Sequence, residues 1–384
     1  LKIAVNTRLL LKDRLDGIGW FTFESLKRIT QQHPEHEFYF IFDRPFDTSF
    51  VFTPNIHPVV IGPPARHPFL FMVWFEISIP IILRRIKPDL FLSTDGYMSL
   101  STGVRTVIVI HDLNFEHFPG DLPWLVSHYY RFFFPWFARK AVRIATVSEY
   151  SKKDICSLYH IQPSAIDVVY NGAGQHYQPL EEKQKELIRK QYTGGSPYFI
   201  FVGALHPRKN LVNLFKAFDA FKSSGADCKL LIVGSKLWWT GGIKTTFESM
   251  QFGKDVIFTG RLPEEALQKV LASSLALTYV SYFEGFGIPV VEAFACEVPV
   301  ITSNVTSLPE VAGDAAILTD PFSPDDIAEA MRKVFTDNQL RNEMVLRGKK
   351  QLTRFSWDQT ADKLWKTIET ALQEVKRIEP NVNP

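Results

Sequence analysis

Short runs of consecutive apolar residues alternate with helix-spaced apolar patterns from one end of this chain to the other. Continuous apolar runs suit strands covered on both faces, and their alternation with helices marks parallel α/β sheets. In the first half, residues 3–6, 38–42, 89–93, 107–111, 144–147 and 166–169 read as buried strands. Helical patterns fall between them near 20–31, 69–86, 123–141 and 150–158. The second half starts the alternation afresh. Strands are predicted there at 198–202, 229–233, 256–258, 275–279, 300–302 and 315–318, with a helix at 211–222.

The pattern therefore predicts an α/β protein of two Rossmann-like domains. Tyr170-Asn171-Gly172-Ala173-Gly174 reads as a hinge between them, and the polar stretch 181–189 as a charged helix beyond it. The domains are expected at 1–171 and 172–356, followed by a last helical pattern over 357–376. In open α/β sheets ligands bind beyond the carboxyl ends of the strands, and polar residues cluster there in this sequence.

Composition sharpens the picture only a little. At 384 residues the chain is too long for one ordinary core and about right for two. Its 46% apolar and 22% charged residues exclude a chain with a long disordered tail. With 43 Lys and Arg against 41 Asp and Glu, nothing drives it generally toward nucleic acid. Cys156, Cys228 and Cys296 lie far apart, and no signal-peptide pattern precedes Ile3, so a reducing, cytoplasmic setting is expected. The most apolar stretch, 69–83, is interrupted by Glu76 and Pro80 and is too short to span a bilayer. Residues 124–143 interleave aromatics with bases. A helix covering a sheet is the first reading of that segment; peripheral contact with the inner face of the cytoplasmic membrane is the second.

Candidate chemistry concentrates in 282–300, Tyr-Phe-Glu-Gly-Phe-Gly-Ile-Pro-Val-Val-Glu-Ala-Phe-Ala-Cys-Glu-Val-Pro-Val. Glu284 and Glu292 bracket the loop Gly285-Phe286-Gly287, and Pro289 suits the first turn of a helix, where its missing N–H goes unneeded. The glycines let backbone approach a ligand and present amides at the positive end of that helix. Each carboxylate suits a polyol. A second centre is Gly203-Ala204-Leu205-His206-Pro207-Arg208-Lys209-Asn210, between a strand and a helix. Two adjacent cations at such a place form an anion site, with Asn210 a good helix cap.

The segment around the two glutamates resembles the Glu-x7-Glu signature of retaining glycosyltransferases of family 4 (glycosyl transferases group 1), which includes sucrose synthase and bacterial mannosyltransferases. The resemblance covers essentially the whole chain and is strongest over 199–320. It implies the GT-B fold, two Rossmann-like domains facing a central cleft, with the helix 357–376 packing back on the first. It further implies that Glu284 contacts the transferred sugar, Glu292 the ribose hydroxyls, and Arg208 and Lys209 the departing diphosphate. Gly285, Phe286 and Gly287 then belong to the donor site. Asp16-Gly17-Ile18-Gly19-Trp20 resembles the family's first glycine loop, which brings Gly17 and Gly19 to the donor phosphates. His111 stands where the family has a functional histidine, with Asp112 the local alternative. Arg261, in Thr259-Gly260-Arg261, falls at the level of the nucleotide base; Arg8, at the end of the first strand, is the lesser candidate for the region that the first glycine loop approaches.

Two departures from the family stand out. Ala204 occupies a position where many relatives carry Arg, so Arg208 and Lys209 must supply the positive charge. Glu297 replaces the usual Gly before x-Pro-Val, which bears on the local turn. No His/Asp/Glu cluster is read with metal-ligand spacing, and no metal or other cofactor is expected. Cations and helix N-termini then carry the leaving-group charge that Mg²⁺ would otherwise carry.

The expected function is retaining transfer of a hexose from a nucleotide sugar to a hydroxyl of a glycan or lipid-linked glycan. The Pro-Arg-Lys-Asn and His-Asp-Leu segments are similar to those of bacterial O-antigen mannosyltransferases, which leans the donor toward GDP-mannose. The alternatives are a sugar-nucleotide epimerase or phosphorylase of the same fold, or a glycoside hydrolase using Glu284 and Glu292 as its acid/base pair.

Overall fold

The structure, a computed structural model, describes residues 1–374 except 13, 236–238 and 240. The chain divides into two compact units. One comprises Leu1–Asn171 with the helix from Trp357, the other Gly172–Ser356.

The first unit holds seven strands: β1 (Lys2–Asn6), β2 (Glu37–Phe42), β3 (Ile56–Val60), β4 (Leu90–Ser93), β5 (Thr106–Ile110), β6 (Arg143–Thr146) and β7 (Ile166–Val168). All pair in parallel, in the order β3-β2-β1-β4-β5-β6-β7. Every residue of β4, β5 and β6 is buried, which is why β4 and β5 read as largely apolar runs, while β6 also buries Arg143 and Thr146. β3 is the strand the pattern did not predict. Its sequence Ile-His-Pro-Val-Val carries a proline and an exposed histidine, tolerable only because it forms the sheet's edge.

The second unit has β8 (Tyr198–Val202), β9 (Lys229–Val233), β10 (Val256–Gly260), β11 (Ala276–Tyr279), β12 (Val300–Ser303) and β13 (Ala316–Thr319). These too are parallel, in the order β10-β9-β8-β11-β12-β13. The helix Leu211–Lys222 seals one face with Leu214, Phe215, Phe218 and Phe221, the three- and four-residue spacing that puts them on a single stripe.

The helix Trp357–Gln373 belongs to the first unit. Arg105 donates to the Leu372 carbonyl (2.7 Å), Thr360 to the Tyr170 carbonyl (2.6 Å), and Trp365 stacks 3.8 Å from His33. Residues 375 and 376 of the expected helix lie outside the described residues.

One expectation is corrected nearby. His33, Glu35 and His36 bring ligand atoms within 4.8 Å of one another, a grouping that was not picked out in the sequence. The short His-x-Glu-His run sits in the turn after the helix Gly17–Gln32, where close spacing is easily passed over.

The turn at Glu297 takes the conformation that the glycine of relatives would favour. The helix Ile288–Ala295 ends at Cys296, and Glu297 follows with φ 57°, in the left-handed region. A side chain there is strained, and a solvent-accessible ion pair to Lys349 (2.8 Å) offsets little of it. Glu297→Gly is therefore expected to stabilise the second unit by roughly 0.5–1 kcal/mol. Urea unfolding should show a raised midpoint at unchanged slope; a lowered midpoint would mean the ion pair outweighs the strain.

Candidate active site

Each sheet reverses its strand order once, and ligands of open parallel sheets bind outside that reversal. In the second unit the reversal lies between β8 and β11. The chain leaving β8 runs through Gly203 into the turn Pro207–Lys209, and the chain leaving β11 runs to Glu284. Topology alone thus brings Arg208 and Lys209 beside Glu284.

The contacts are direct. Lys209 Nζ donates to Glu284 Oε1 at 2.6 Å, and Arg208 donates to Oε2 at 2.8 Å. The Tyr279 hydroxyl, from the last residue of β11, also donates to Oε1 (2.9 Å) and bonds the Lys209 ammonium. Glu284 is 5% exposed and Lys209 8%. Burial alone would raise the Glu284 carboxyl, but the charges of Arg208 and Lys209 outweigh it and hold it down to about 2. The group is an ionised carboxylate whose two oxygens are both engaged. With its two cations it carries a net charge of +1, focused at a strand end out of bulk water.

Asn210 holds the N-cap position of the following helix, its carbonyl accepting from the Leu214 N–H at 3.1 Å, but its side chain makes no capping bond. It sits at φ 61°, and its amide instead donates to the Val280 and Pro321 carbonyls (2.9 and 2.6 Å). That bond ties the basic turn to the segment after β11, which fixes the spacing between the cations and Glu284.

Glu292 lies one turn into the helix Ile288–Ala295 and is half-buried. Burial pushes its carboxyl up to about 8, against the lowering effect of the Tyr177 hydroxyl bonded to it. The two glutamates are therefore in opposite states near neutral pH. Gly287 begins this helix at φ 107°, where a Cβ would meet Leu308 at 2.8 Å. Gly285 and Phe286 precede it, with Phe286 buried against Phe355 at 5.4 Å.

A glycine outside the predicted site shapes the same sheet end. At Gly234, directly after β9, a Cβ would lie 1.8 Å from the Gly203 carbonyl oxygen, so the two strand exits touch through bare backbone. Gly260 closes β10 at φ 72°, and Arg261 beyond it is exposed. Gly234, Tyr279 and Tyr177 were not picked out from the sequence. The tyrosines read there as strand and loop aromatics; only the fold shows their hydroxyls on the glutamates.

The first unit's reversal lies between β1 and β4. Here too an arginine meets a carboxylate: Arg8 Nε donates to Asp95 at 2.6 Å, and Asn6 adds a bond to Asp95 at 2.9 Å. Arg8 is buried beneath Tyr97, 4.5 Å from the ring, and is absorbed by that network. His111, just after β5, bonds the Thr94 carbonyl through Nε2 (2.8 Å) and packs edge-on to Phe21. A carbonyl partner requires a proton on Nε2, so Nδ1 is the acceptor of a neutral ring; burial lowers its pKa, against that bond. Asp112 is spent on a turn, accepting from the Asn114 N–H at 3.0 Å. Gly17 and Gly19 form the first turn of the helix Gly17–Gln32, whose cap Asp16 accepts from the Gly19 N–H (2.9 Å). A side chain at Gly19 would crowd the Leu9 carbonyl at 3.3 Å.

Two family profiles match in succession: Glycosyltransferase Family 4 over residues 16–173 and Glycosyl transferases group 1 over 183–351. The chain belongs to this glycosyltransferase family. It is 30% identical to O-antigen chain mannosyltransferase B of Escherichia coli, over 56% of this chain and 57% of the relative. It is 26% identical to O-antigen chain mannosyltransferase RfbU of Salmonella typhimurium, over 68% and 70%. Against the first of these, then, it spans little more than half the relative's length. Among solved structures it is similar to sucrose-phosphate synthase of Thermosynechococcus elongatus, with a TM-score of 0.78 at 15% identity over 96% and 98% of the chains. Anabaena HepE in complex with UDP and glucose follows, at 0.76 and 16% over 96% and 99%. The expected GT-B fold is thus shown.

Proposed function

We propose that this protein transfers a hexose, mannose in the first instance, from a nucleoside-diphosphate sugar to a hydroxyl of a glycan acceptor with retention of configuration. The observation that carries this reading is the pairing of Arg208 and Lys209 with Glu284 at the β8/β11 reversal. A departing diphosphate needs positive charge held in place before the bond breaks, and a net +1 cluster on rigid strand ends provides it without reorganisation. Cations fulfil there the role a divalent metal would otherwise play. The mannosyltransferase relatives favour mannose, and the HepE complex with UDP and glucose favours a nucleotide donor.

Glu284 reads the sugar through its carboxylate, and Glu292 reads ribose. A covalent role for Glu284 fits poorly, because Lys209 and Arg208 pair its charge and blunt it as a nucleophile without preventing it from accepting a hydroxyl. The glycoside-hydrolase reading leaves this basic pair without a task, since hydrolysis has no departing diphosphate to neutralise. His111 offers Nδ1 as an acceptor for a sugar hydroxyl. In the front-face mechanism the leaving phosphate, held by Arg208 and Lys209, takes the proton of the incoming hydroxyl.

The test is turnover with GDP-mannose, UDP-glucose and ADP-glucose, each with and without a mannose-terminated oligosaccharide, reading the product's anomeric configuration by NMR. Acceptor-dependent formation of an α-linked product from an α-linked donor is expected. An inverted product, or donor hydrolysis unaffected by acceptor, overturns the reading.

A further inference from the structure

A turn at the amino end of the first sheet gathers three groups that the fold does not require together. The helix Gly17–Gln32 ends on His33, whose N–H reaches the Ile29 carbonyl at 3.0 Å, and β2 starts at Glu37. Between them His33-Pro34-Glu35-His36 is a tight turn, closed by the His36 N–H on the His33 carbonyl at 3.2 Å. Proline at the second position presets such a bend. The Asn55 amide ties the turn down, donating to the Thr30, His33 and His36 carbonyls at 3.2, 3.2 and 3.0 Å.

The side chains converge on this frame. Glu35 Oε1 lies 3.6 Å from His33 Nδ1 and 3.4 Å from His36 Nε2, and each residue brings a ligand atom within 4.8 Å of the other two. Metal bonds of 2.0–2.1 Å at tetrahedral angles set neighbouring ligand atoms about 3.3–3.4 Å apart. An octahedral ion such as Mg²⁺ needs about 2.9 Å with bonds of that length, and prefers oxygen ligands. An ion pair explains one imidazole beside Glu35, but a second imidazolium on the same oxygen would add repulsion. A cation shared by three lone pairs accounts for both rings. Those rings lie within 6° of parallel, and both stack on Trp365, at 3.8 Å from His33 and 5.2 Å from His36. Trp365 is 6% exposed and comes from the returning helix Trp357–Gln373, so packing orients the imidazoles in advance.

We propose that His33, Glu35 and His36 bind one divalent transition-metal ion, Zn²⁺ in the first instance, with water as the fourth ligand. Two imidazoles and a carboxylate suit that class of ion better than Mg²⁺ or Ca²⁺. By fixing the ring planes under Trp365, the ion fastens the returning helix to the first unit. The role is structural: the turn enters the amino end of β2, whereas His111 leaves the carboxyl end of β5 in the same parallel sheet. The inference therefore does not rest on the proposed reaction.

The experiment is calorimetric titration of the full chain, stripped with EDTA and dialysed, with Zn²⁺, Ni²⁺ and Mg²⁺ salts. One Zn²⁺ or Ni²⁺ per chain and no binding of Mg²⁺ are expected. Glu35→Ala should bind Zn²⁺ at least tenfold more weakly, the loss that even an outer partner of a metal ligand brings. With a side chain 59% exposed, that variant should keep the parent's unfolding midpoint in EDTA. Zn²⁺ should raise the parent's midpoint and leave that of Glu35→Ala in place. Ni²⁺ should quench the parent's tryptophan emission, and Trp365→Phe, which keeps a stacking ring, should lose that quench. Zn²⁺ binding equally weakly to parent and Glu35→Ala, an adventitious ion only, overturns the proposal. So does Mg²⁺ binding as tight as Zn²⁺ binding, or a quench that Trp365→Phe leaves unmoved.

Discussion

Lys209→Ala is expected to lower kcat/KM for sugar transfer by about 30- to 1000-fold, or roughly 2–4 kcal/mol of transition-state stabilisation. The ammonium lies 2.6 Å from Glu284 and is 8% exposed, so its charge acts with little screening by water. Removing it takes the cluster from +1 to neutral as the diphosphate gains negative charge. The substitution also leaves Glu284 with Arg208 alone as its cation, and weakening a buried pair destabilises the fold. Kinetics on a partly unfolded enzyme would mimic the predicted loss. The urea curve of Lys209→Ala itself separates the two effects, with kinetics taken under conditions where that curve shows the variant fully folded. The loss of turnover should persist there. Parental kcat/KM in Lys209→Ala would remove the turn Pro207–Lys209 from the active site.

Much of this arrangement was legible beforehand, for identifiable reasons. β8 and β9 are buried on both faces, and their apolar runs marked their ends without error. The helix Leu211–Lys222 was equally plain, because its aromatic stripe sits between a turn and a polar segment. The pair Arg208-Lys209 was legible because adjacent cations between strand and helix have few structural uses. What escaped was whatever depends on a distant partner. Tyr279 reads as one more strand aromatic until β11 lies beside β8 and its hydroxyl meets Glu284. Gly234 reads as an ordinary strand exit until the Gly203 carbonyl is set against it. Arg8 offered a lesser candidate for the ligand region, and its partner Asp95, which arrives from the neighbouring strand exit, was not legible at all. Asn210 stands at the helix cap as expected, yet its side chain makes no capping bond, and its amide donates instead to two carbonyls from elsewhere in the unit.

The two glutamates give the sharpest test, because their surroundings differ so strongly. Glu292→Ala should weaken binding of free GDP or UDP by roughly 10- to 100-fold, the loss of one or two charge-assisted bonds to ribose hydroxyls. Glu284→Ala takes the cluster from +1 to +2, so nucleotide affinity should hold or tighten, while turnover falls by roughly 100-fold or more, since its partner is the sugar. Titration supplies an independent readout. With its carboxyl up at about 8, Glu292 is mostly protonated in the free protein at neutral pH. A carboxylate accepts from both ribose hydroxyls better than an acid does, so nucleotide affinity should climb as pH rises through 8. Glu292→Gln should abolish that climb. Stability of the unliganded protein must move the other way. The folded pKa lies above the ordinary 4.5, so the folded state holds a proton that the unfolded chain releases, and the resulting stability is lost as pH rises toward 8. Glu292→Gln should therefore flatten the unfolding midpoint across pH 4.5–8, a change that a purely structural glutamate in an ion pair would not produce. Calorimetry in which Glu284→Ala loses the nucleotide and Glu292→Ala keeps it would mean that the two carboxylates have exchanged roles.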